Sequence, residues 1–280
     1  MTPRNPVGAA PTHDPRSDAP SPAAEEILLE LIRELALATP APRHDPFYGL
    51  DRPAGPSLRV LEQLTRHGDF RKYVHVLDVR AGVGGTARWL TRLYGCRAIA
   101  LDPSPRAVAV GARLTRRARL TARVLGLAGV PWAVPARDGV FTQIWCVEAL
   151  HDAALRRRTL AELFRVLRPG CPIALQEIVR TSAATPTIGG PWQHGVLAEY
   201  LDALAAVGFQ HVEHADVTAE RDETSPLVLS ARERLAQACA ARLPPSDPWH
   251  AAAAERRHVD AILRAPDYRV VHLFAQRPSI

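Results

Sequence analysis

The segment HVLDVRAGVGGTARWL (residues 75–90) has the residue types of a nucleotide-binding turn. Small residues at Ala81, Gly82 and Gly84 let the backbone approach a ligand closely. The helix predicted from about residue 84 points its unpaired amides, with their partial positive charge, at the same place. Asp102 ends the next apolar segment, where its carboxylate could accept hydrogen bonds from a ribose; alternatively it only caps the helix that begins near Ser104.

Short apolar segments alternate with helical patterns on both sides of this turn and predict the fold that positions it. The alternation is typical of an α/β protein with a Rossmann-like, doubly wound, mostly parallel seven-stranded sheet and a helical lid or insertion. The predicted strands cover residues 74–78, 98–101, 122–127, 141–147, 173–179, 212–217 and 268–275. Helices are predicted at 57–65, 84–94, 104–117 and 153–167, then up to residue 207, with two more between the last two strands.

The N-terminal region divides into a tail and a cap. Residues 1–23 are rich in proline and poor in large apolar side chains, so we expect a disordered tail. Ser21 followed by Pro22 predicts a helix start, and the helix should run to about Ala38. We therefore expect a helical cap over residues 24–66 and a main domain over 67–280, with a helical insertion or lid at 217–266.

The composition is that of an ordinary globular protein with a basic balance. The chain has 280 residues, 47% of them hydrophobic, and a formal net charge of +6. Lys72 is the only lysine, and the arginine-rich runs at 113–123 and 156–158 lie on predicted helices without interleaved aromatic residues. These runs are interpreted as solvated helix faces, and no nucleic-acid partner is expected.

The cysteines and the N-terminus bear on location. Cys96, Cys146, Cys171 and Cys239 show no paired spacing, which argues against a zinc site or a disulfide framework and favours a reducing cytoplasm. No signal-peptide pattern is present, and no apolar run approaches the roughly 20 residues that cross a bilayer. We expect a cytoplasmic protein that contacts no membrane.

Five motifs in order give the chain a family resemblance. LDVRAGVGG follows the first strand, ALDPSP the second and WCVEALHD the fourth, while RVLRPGC precedes the fifth strand and VGF the sixth. From about residue 45 to 179, and more loosely beyond, the chain resembles a class I S-adenosylmethionine-dependent methyltransferase of the small-molecule type. The resemblance implies S-adenosylmethionine as cofactor, S-adenosylhomocysteine as product, and cofactor contacts from Asp78, Arg80, Ala81, Gly82, Gly84, Asp102, Pro103, Val130, Pro131 and Val147.

A dinucleotide site is the rival interpretation of the same turn. GVGGTA (residues 82–87) fits the G-x-G-x-x-A fingerprint, with Asp102 twenty residues after Gly82, as in NAD-dependent oxidoreductases. Asp78 before the glycines and the strand order after residue 168 resemble the methyltransferase pattern instead, which makes the oxidoreductase the less favoured alternative.

The motifs depart from the family at four positions. Arg80 stands where the family has glycine, beside the methionine end of the cofactor; it could pair with the cofactor carboxylate, or fill the pocket and repel the sulfonium. Val130 replaces the acid that reads the adenine amine, which leaves adenine to backbone amides and apolar walls near Val130, Pro131 and Trp132. Thr142 and Cys171 replace an acid and a glycine.

The resemblance also suggests acceptor-side residues. Methyl transfer needs a positioned small-molecule acceptor, and an oxygen or carbon acceptor also needs a base. His151 is the candidate base with Glu148 as its partner, although His151 or Asp152 could equally cap the helix that begins near residue 153. Candidate substrate contacts, each of which could instead be packing, are Tyr48, Trp192 and His194, with Tyr200 and Trp249 in neighbouring segments.

Other functions remain open at this point. The chain could be a degenerate scaffold or regulator, or could catalyse a non-methylating reaction such as a cyclisation. His211 and His214 lie three residues apart on a predicted strand without a third ligand, so no metal site is expected. The sequence does not indicate the acceptor or the oligomeric state.

Overall fold

The computed structural model describes residues 20–279 except 42–43, 53–57, 67, 69, 186–192 and 221–225. Residues 1–19 of the predicted tail and Trp192 therefore lie outside the described residues. The end of the predicted tail is not disordered. Residues 21–23 belong to the cap and first turn of a helix, because Ser21 Oγ accepts a hydrogen bond from the Ala24 amide at 3.0 Å.

Seven strands form one sheet. In chain order they are β1 (His75–Val79), β2 (Arg97–Asp102), β3 (Val124–Ala128), β4 (Gln143–Val147), β5 (Pro172–Arg180), β6 (Gln210–Asp216) and β7 (Tyr268–Gln276). Their spatial order is β3-β2-β1-β4-β5-β7-β6, with β7 antiparallel to both of its neighbours and the first five strands parallel. The predicted mostly parallel, seven-stranded sheet is confirmed.

Eight helices connect and cover the described strands. They are α1 (Pro22–Ala38), α2 (Leu58–Thr65), α3 (Gly85–Tyr94), α4 (Pro105–Arg117), α5 (Ala153–Val166), α6 (Leu197–Val207), α7 (Pro226–Arg242) and α8 (Pro248–Arg264). Three of these helices, α1, α4 and α8, begin with a proline at the first helical position and have a polar N-cap residue before it. Within the described chain, none of the helices is long and apolar enough to span a bilayer.

The core has one layer on each face of the sheet. On one face α5 and α6 pack against inward-facing residues of β1, β4, β5 and β7. On the other face α2 and α3 cover Trp145, whose ring contacts Phe70 edge-on and lies parallel to Trp89. Burial on both faces explains why the central strands are continuously apolar rather than alternating.

The N-terminal helix and the insertion between β6 and β7 pack on each other. Ala24 and Ile27 of α1 meet Cys239 of α7 and Leu243 just beyond it. The guanidinium of Arg113 on α4 is paired with Glu25, its Nε donating at 2.6 Å. The cap predicted from residues 24–66 thus rests on α4 and on the insertion.

The interpretation of the arginine runs was wrong at one residue. Arg156 of α5 does not lie on a solvated face; it is buried, with its guanidinium 4.0 Å from the centre of the Tyr200 ring and its Nη1 3.0 Å from Glu199 Oε2. Arg157 and Arg158 are exposed, as expected. A cation can be buried here because α6 supplies both an aromatic face and a carboxylate.

Candidate functional site

The candidate site lies where the carboxyl ends of the parallel strands meet. β1 pairs with β2 on one side and with β4 on the other, and the chain crosses to opposite faces of the sheet from these two strands. This is the topological switch point of a doubly wound sheet, where a crevice opens between the loops. All the predicted cofactor residues and both predicted catalytic residues lie at the ends of β1, β2 and β4 or in the loops that follow β1, β2, β3 and β4.

The turn after β1 exposes the start of a helix. Gly82 and Gly84 have φ of +55° and +76°, which glycine adopts without strain, and the Gly84 amide donates to the Ala81 carbonyl at 2.8 Å. Gly84 is the N-cap of α3 and offers no side-chain cap. The start of α3 can therefore present amides to a negatively charged group of a ligand, although the Ala87 amide already bonds the Asp78 carboxyl group.

Asp102 joins this turn to the end of β2. Its Oδ2 accepts a hydrogen bond from the Gly82 amide at 2.8 Å, and its Oδ1 accepts one from the Ser104 amide at 2.9 Å. The cap of α4 comes from Ser104, whose Oγ accepts from the Ala107 amide at 3.2 Å. Because Ser104 is the N-cap of α4, helix capping does not explain the position of the Asp102 carboxylate. This carboxylate lies directly beside the glycine turn.

Asp78 lies beneath the turn and is almost wholly buried. Burial raises the pKa of its carboxyl from 3.8 to about 7, and the charge of Asp102 adds to that rise, while the Ala87 amide and Arg88 oppose it. Its Oδ2 has no hydrogen-bond partner among the described residues. The site thus holds a carboxyl group that changes charge near neutral pH.

The substitution Asp78→Asn should remove part of the pH dependence of stability. In the folded wild type Asp78 keeps its proton up to about pH 7, whereas in the unfolded chain it loses the proton above about pH 3.8. The contribution of protonated Asp78 to the unfolding free energy is therefore fully present at low pH and is lost as the pH rises through about 7. The variant's unfolding free energy minus that of the wild type should grow by about 1 kcal/mol per unit from about pH 5 to 7, then level off. Urea titrations across this range measure the difference, and a constant difference would contradict the assignment.

Arg80 occupies the turn's first position in a left-handed conformation. Its φ is +57°, a region that costs a non-glycine residue about 1–3 kcal/mol. The charge of Arg80 acts on β4: burial raises the pKa of the Cys146 thiol well above its usual value, Glu177 adds to the rise, and Arg80 opposes it. Arg80 therefore places a positive charge close enough to β4 to affect a buried group there.

The loop after β3 forms the far wall of the crevice. The Gly129 amide donates to the Asp102 carbonyl at 3.0 Å, and the Ala133 amide donates to the Val130 carbonyl at 3.1 Å. Pro131 is buried and Val130 half-buried, and Pro103 is half-buried beside them. This wall offers backbone groups and apolar surface, and its contact with an adenine ring stays a prediction.

The loop after β4 carries the predicted catalytic residues. Glu148 has a left-handed φ of +50°; its amide donates to the Gln176 carbonyl at 2.7 Å, and its Oε1 accepts from Gln176 Nε2 at 3.3 Å. His151 is buried, with Nδ1 3.3 Å from the Glu148 carbonyl oxygen. Asp152 caps α5, accepting from the Ala154 amide at 2.9 Å, so the helix cap does not require His151.

Two residues that the sequence did not single out hold this loop in place. Glu177 of β5 is buried, and its Oε1 accepts hydrogen bonds from the amides of Ala149 and Leu150, both at 2.9 Å. Arg156 Nε donates to the Leu150 carbonyl at 2.9 Å. The signal for Glu177 was available, since Glu177 and the adjacent Gln176 interrupt an otherwise apolar segment, IALQEIV.

Two of the three predicted substrate residues, Tyr48 and His194, lie in described segments. Tyr48 is fully buried against α1, and its hydroxyl donates to the Thr39 carbonyl at 2.6 Å. His194 lies beyond β5, with Nδ1 3.1 Å from the Ile178 carbonyl oxygen and its ring edge-on to Tyr268. Both side chains are engaged in packing in this conformation, and Trp249 packs beside the contact of α1 with α7. No three metal-ligating side chains cluster in the described ranges.

Comparison of the sequence with known proteins finds methyltransferases. Residues 77–175 match the family model described as Methyltransferase domain. Methyltransferase GfsG of Streptomyces halstedii is 30% identical over 183 residues, 62% of this chain and 66% of that protein. Glycine/sarcosine/dimethylglycine N-methyltransferase of Actinopolyspora halophila is 27% identical over 157 residues, 56% of this chain and 27% of that protein. The chain thus spans just under two thirds of the first relative and about a quarter of the second.

Comparison of the structure finds the same fold. The crystal structure of the [4+2]-cyclase SpnF superposes with a TM-score of 0.67 at 21% identity, covering 94% of this chain and 98% of that one. Geranyl diphosphate C-methyltransferase from Streptomyces coelicolor A3(2), solved with Mg²⁺, geranyl diphosphate and S-adenosyl-L-homocysteine, gives a TM-score of 0.56 at 19% identity, covering 92% of this chain and 99% of that one. At these identities the likeness establishes the fold.

Proposed function

The chain belongs to the class I S-adenosylmethionine-dependent methyltransferases, and on that premise we propose that it transfers the methyl group of S-adenosylmethionine to a small organic acceptor. The observation that carries the proposal is the uncapped start of α3 beside the buried carboxyl groups of Asp78 and Asp102. Helix amides suit the ligand's carboxylate, and the acids suit its ammonium and ribose hydroxyls.

The charge of the site also favours this ligand. Four carboxyl side chains at this edge are each less than a tenth exposed, and Arg80 follows the end of β1; the four are Asp78, Asp102, Glu148 and Glu177. A negative site attracts the cationic sulfonium of S-adenosylmethionine more than the neutral thioether of S-adenosylhomocysteine. Loss of that charge on methyl transfer would weaken product binding relative to substrate binding.

The residues after β4 would handle the acceptor. When bound, S-adenosylmethionine supplies an electrophilic methyl group, and the protein must hold the acceptor in line with it and exclude water. With a proton on Nδ1 directed at the Glu148 carbonyl, His151 has its basic lone pair on Nε2. Nε2 would take the proton of a hydroxyl or carbon acceptor, and Glu177 and Arg156 would fix the loop that presents it.

Turnover with a panel of acceptors tests the proposal. Amines, alcohols, phenols and allylic compounds would each be incubated with the enzyme and S-adenosylmethionine carrying a labelled methyl group. We expect label in at least one acceptor, with formation of S-adenosylhomocysteine in equal amount. Tight cofactor binding with no transfer to any acceptor class would count against methylation.

A second candidate is a reaction that keeps the cofactor without using its methyl group. Arg80 favours it, because a cation beside a sulfonium opposes binding of the reactive cofactor more than binding of its demethylated product. A [4+2]-cyclase has the same fold. Product analysis distinguishes the two candidates: a changed substrate with no transferred label supports the second.

Arg80→Gly should change the preference between the two cofactor forms. Removing the cation should lower the ratio of the dissociation constant of S-adenosylmethionine to that of S-adenosylhomocysteine about fivefold, equivalent to about 1 kcal/mol. Calorimetric titration measures both constants. If Arg80 pairs with the cofactor carboxylate instead, both ligands should weaken alike and the ratio should stay constant.

Arg119→Gly is the matched control for this substitution. Arg119 is exposed beyond α4 and has nearly the same left-handed φ, +58°. Both variants place glycine where an arginine has a left-handed backbone. A gain in unfolding free energy that the two variants share is therefore due to relief of backbone strain. Only Arg80→Gly should alter the ratio of the two dissociation constants.

A further inference from the structure

The loop between α1 and α2 lies directly on the first turn of α3. We call residues 44–52 of this connection the N-terminal loop. A Cβ atom at Gly85 would stand 2.4 Å from the Asp51 carbonyl oxygen and 2.4 Å from Arg52 Cγ, too close for any side chain. The glycine at the start of α3 is therefore needed for the approach of this loop.

A buried arginine fastens the two segments together. Arg88 of α3 is 1% exposed, and its Nη2 and Nε donate to Asp51 Oδ2 at 2.8 and 3.0 Å. Its Nη1 donates to the carbonyl of Val83, within the glycine turn, at 2.7 Å. The same nitrogen lies 3.2 Å from Thr115 Oγ1 and 3.3 Å from the Gly111 carbonyl oxygen, both on α4. One guanidinium thus connects the N-terminal loop, the glycine turn and α4.

The N-terminal loop is held in place by hydrogen bonds within the loop and by one from α7. Arg52 donates to Asp45 Oδ2 at 2.7 Å, and the Asp45 Oδ1 accepts from the Gly49 amide at 3.0 Å. Arg232 of α7 donates to the Arg52 carbonyl at 2.8 Å. Asp51 is therefore a fixed anchor for Arg88 rather than a mobile counter-ion.

A purely stabilising role would not require this arrangement. A buried ion pair is often no more stable than apolar residues of similar volume, because both charges lose their water. What the guanidinium adds is direction, since its rigid fork fixes three segments relative to one another. One of the three is the glycine turn, which leads into the start of α3.

We propose that Arg88, anchored by Asp51, is a positioning residue for the cofactor turn. It holds the Val83 carbonyl, so that the glycine turn and the start of α3 keep the position from which they meet the ligand. This inference rests on the proposed function, because it assumes that the turn binds S-adenosylmethionine. Neither residue is proposed to touch the cofactor.

Cofactor affinity measured against stability tests the proposal. In Arg88→Met and Asp51→Asn the dissociation constant for S-adenosylhomocysteine should rise about 10- to 100-fold, because a displaced turn misaligns its amides. The KM for S-adenosylmethionine should rise in parallel, while kcat at saturating cofactor should stay within about threefold. Arg88→Lys, which keeps the charge but not the fork, should lose nearly as much affinity.

Glu25→Gln is the matched control. It weakens the ion pair of Glu25 with Arg113, which also fastens the N-terminal region to α4 but does not contact the turn. Its affinity for S-adenosylhomocysteine should equal that of the wild type even where its unfolding free energy falls as much as that of Asp51→Asn. If Arg88→Met does not fold, Asp51→Asn and Arg88→Lys provide the same comparison.

The outcomes separate this inference from the proposed function. A wild type that binds neither cofactor form would contradict the proposed function itself. A wild type that binds, with Asp51→Asn and Arg88→Lys of equal affinity, would overturn the positioning role and leave the proposed function standing. Loss of affinity in Glu25→Gln as large as in Asp51→Asn would reduce the role of Arg88 to general stability and would also overturn it.

Discussion

Replacing Asp102 by alanine should raise the dissociation constants for S-adenosylmethionine and S-adenosylhomocysteine at least about 100-fold. The carboxylate is the acceptor proposed for the ribose hydroxyls, and charged hydrogen bonds contribute about 1.5–3 kcal/mol each. The substitution also frees the Gly82 and Ser104 amides, which in the wild type donate to Asp102 at 2.8 and 2.9 Å. The turn then keeps the bond from the Ala81 amide to the Leu101 carbonyl as its attachment to β2. Calorimetric titration of the folded variant measures the loss.

Asp138→Ala controls for loss of a carboxylate as such. Asp138 pairs with Arg165 before β4, and its side chain is 77% exposed, so its removal changes the net charge equally without touching the crevice. Its cofactor affinity should match that of the wild type. An Asp102→Ala variant that binds within about threefold of the wild type would remove Asp102 from the proposed site.

Replacing His151 by glutamine should lower kcat for a hydroxyl or carbon acceptor by about 100- to 10,000-fold. Glutamine is of similar size and can donate to the Glu148 carbonyl, as Nδ1 of His151 does, but it cannot accept the acceptor's proton. The dissociation constant for S-adenosylhomocysteine should not change, because the histidine is proposed to act on the acceptor side. Single-turnover rates with bound cofactor separate the two effects.

Asp152→Ser is the neighbouring control for His151. Serine can replace the aspartate as the N-cap of α5, so the loop and helix should keep their structure. We expect kcat within about threefold of the wild type. A similar kcat in His151→Gln, measured with a hydroxyl acceptor, would show that another group or solvent takes the proton.

The fold could be predicted from the sequence because its signals are local. The glycine turn, the helix after it and the strand ending on Asp102 lie within one βαβ unit of about thirty residues, and their bounds agree with the structure within one or two residues. The left-handed backbone at Gly82 and Gly84 follows from residue type. The same conformation at Arg80 and Glu148 does not, because only the packing of the strand ends imposes it.

The buried charges could not be predicted because their partners are remote in sequence. Arg88 occupies a helix position that could equally face solvent; its burial depends on Asp51, 37 residues earlier. Arg156 was placed on a solvated face, and its burial depends on Glu199 and Tyr200 of α6. Tyr48 was left open between pocket and packing, and the structure places it in packing against α1.

Direct titration of the wild-type protein with S-adenosylmethionine, S-adenosylhomocysteine and NAD tests the central claim. We expect both adenosyl ligands to bind with dissociation constants of roughly 1–100 µM, within the usual range for enzyme ligands. We expect no detectable binding of NAD at about 1 mM. Folded protein that binds neither adenosyl ligand at about 1 mM, or that binds NAD instead, would contradict it.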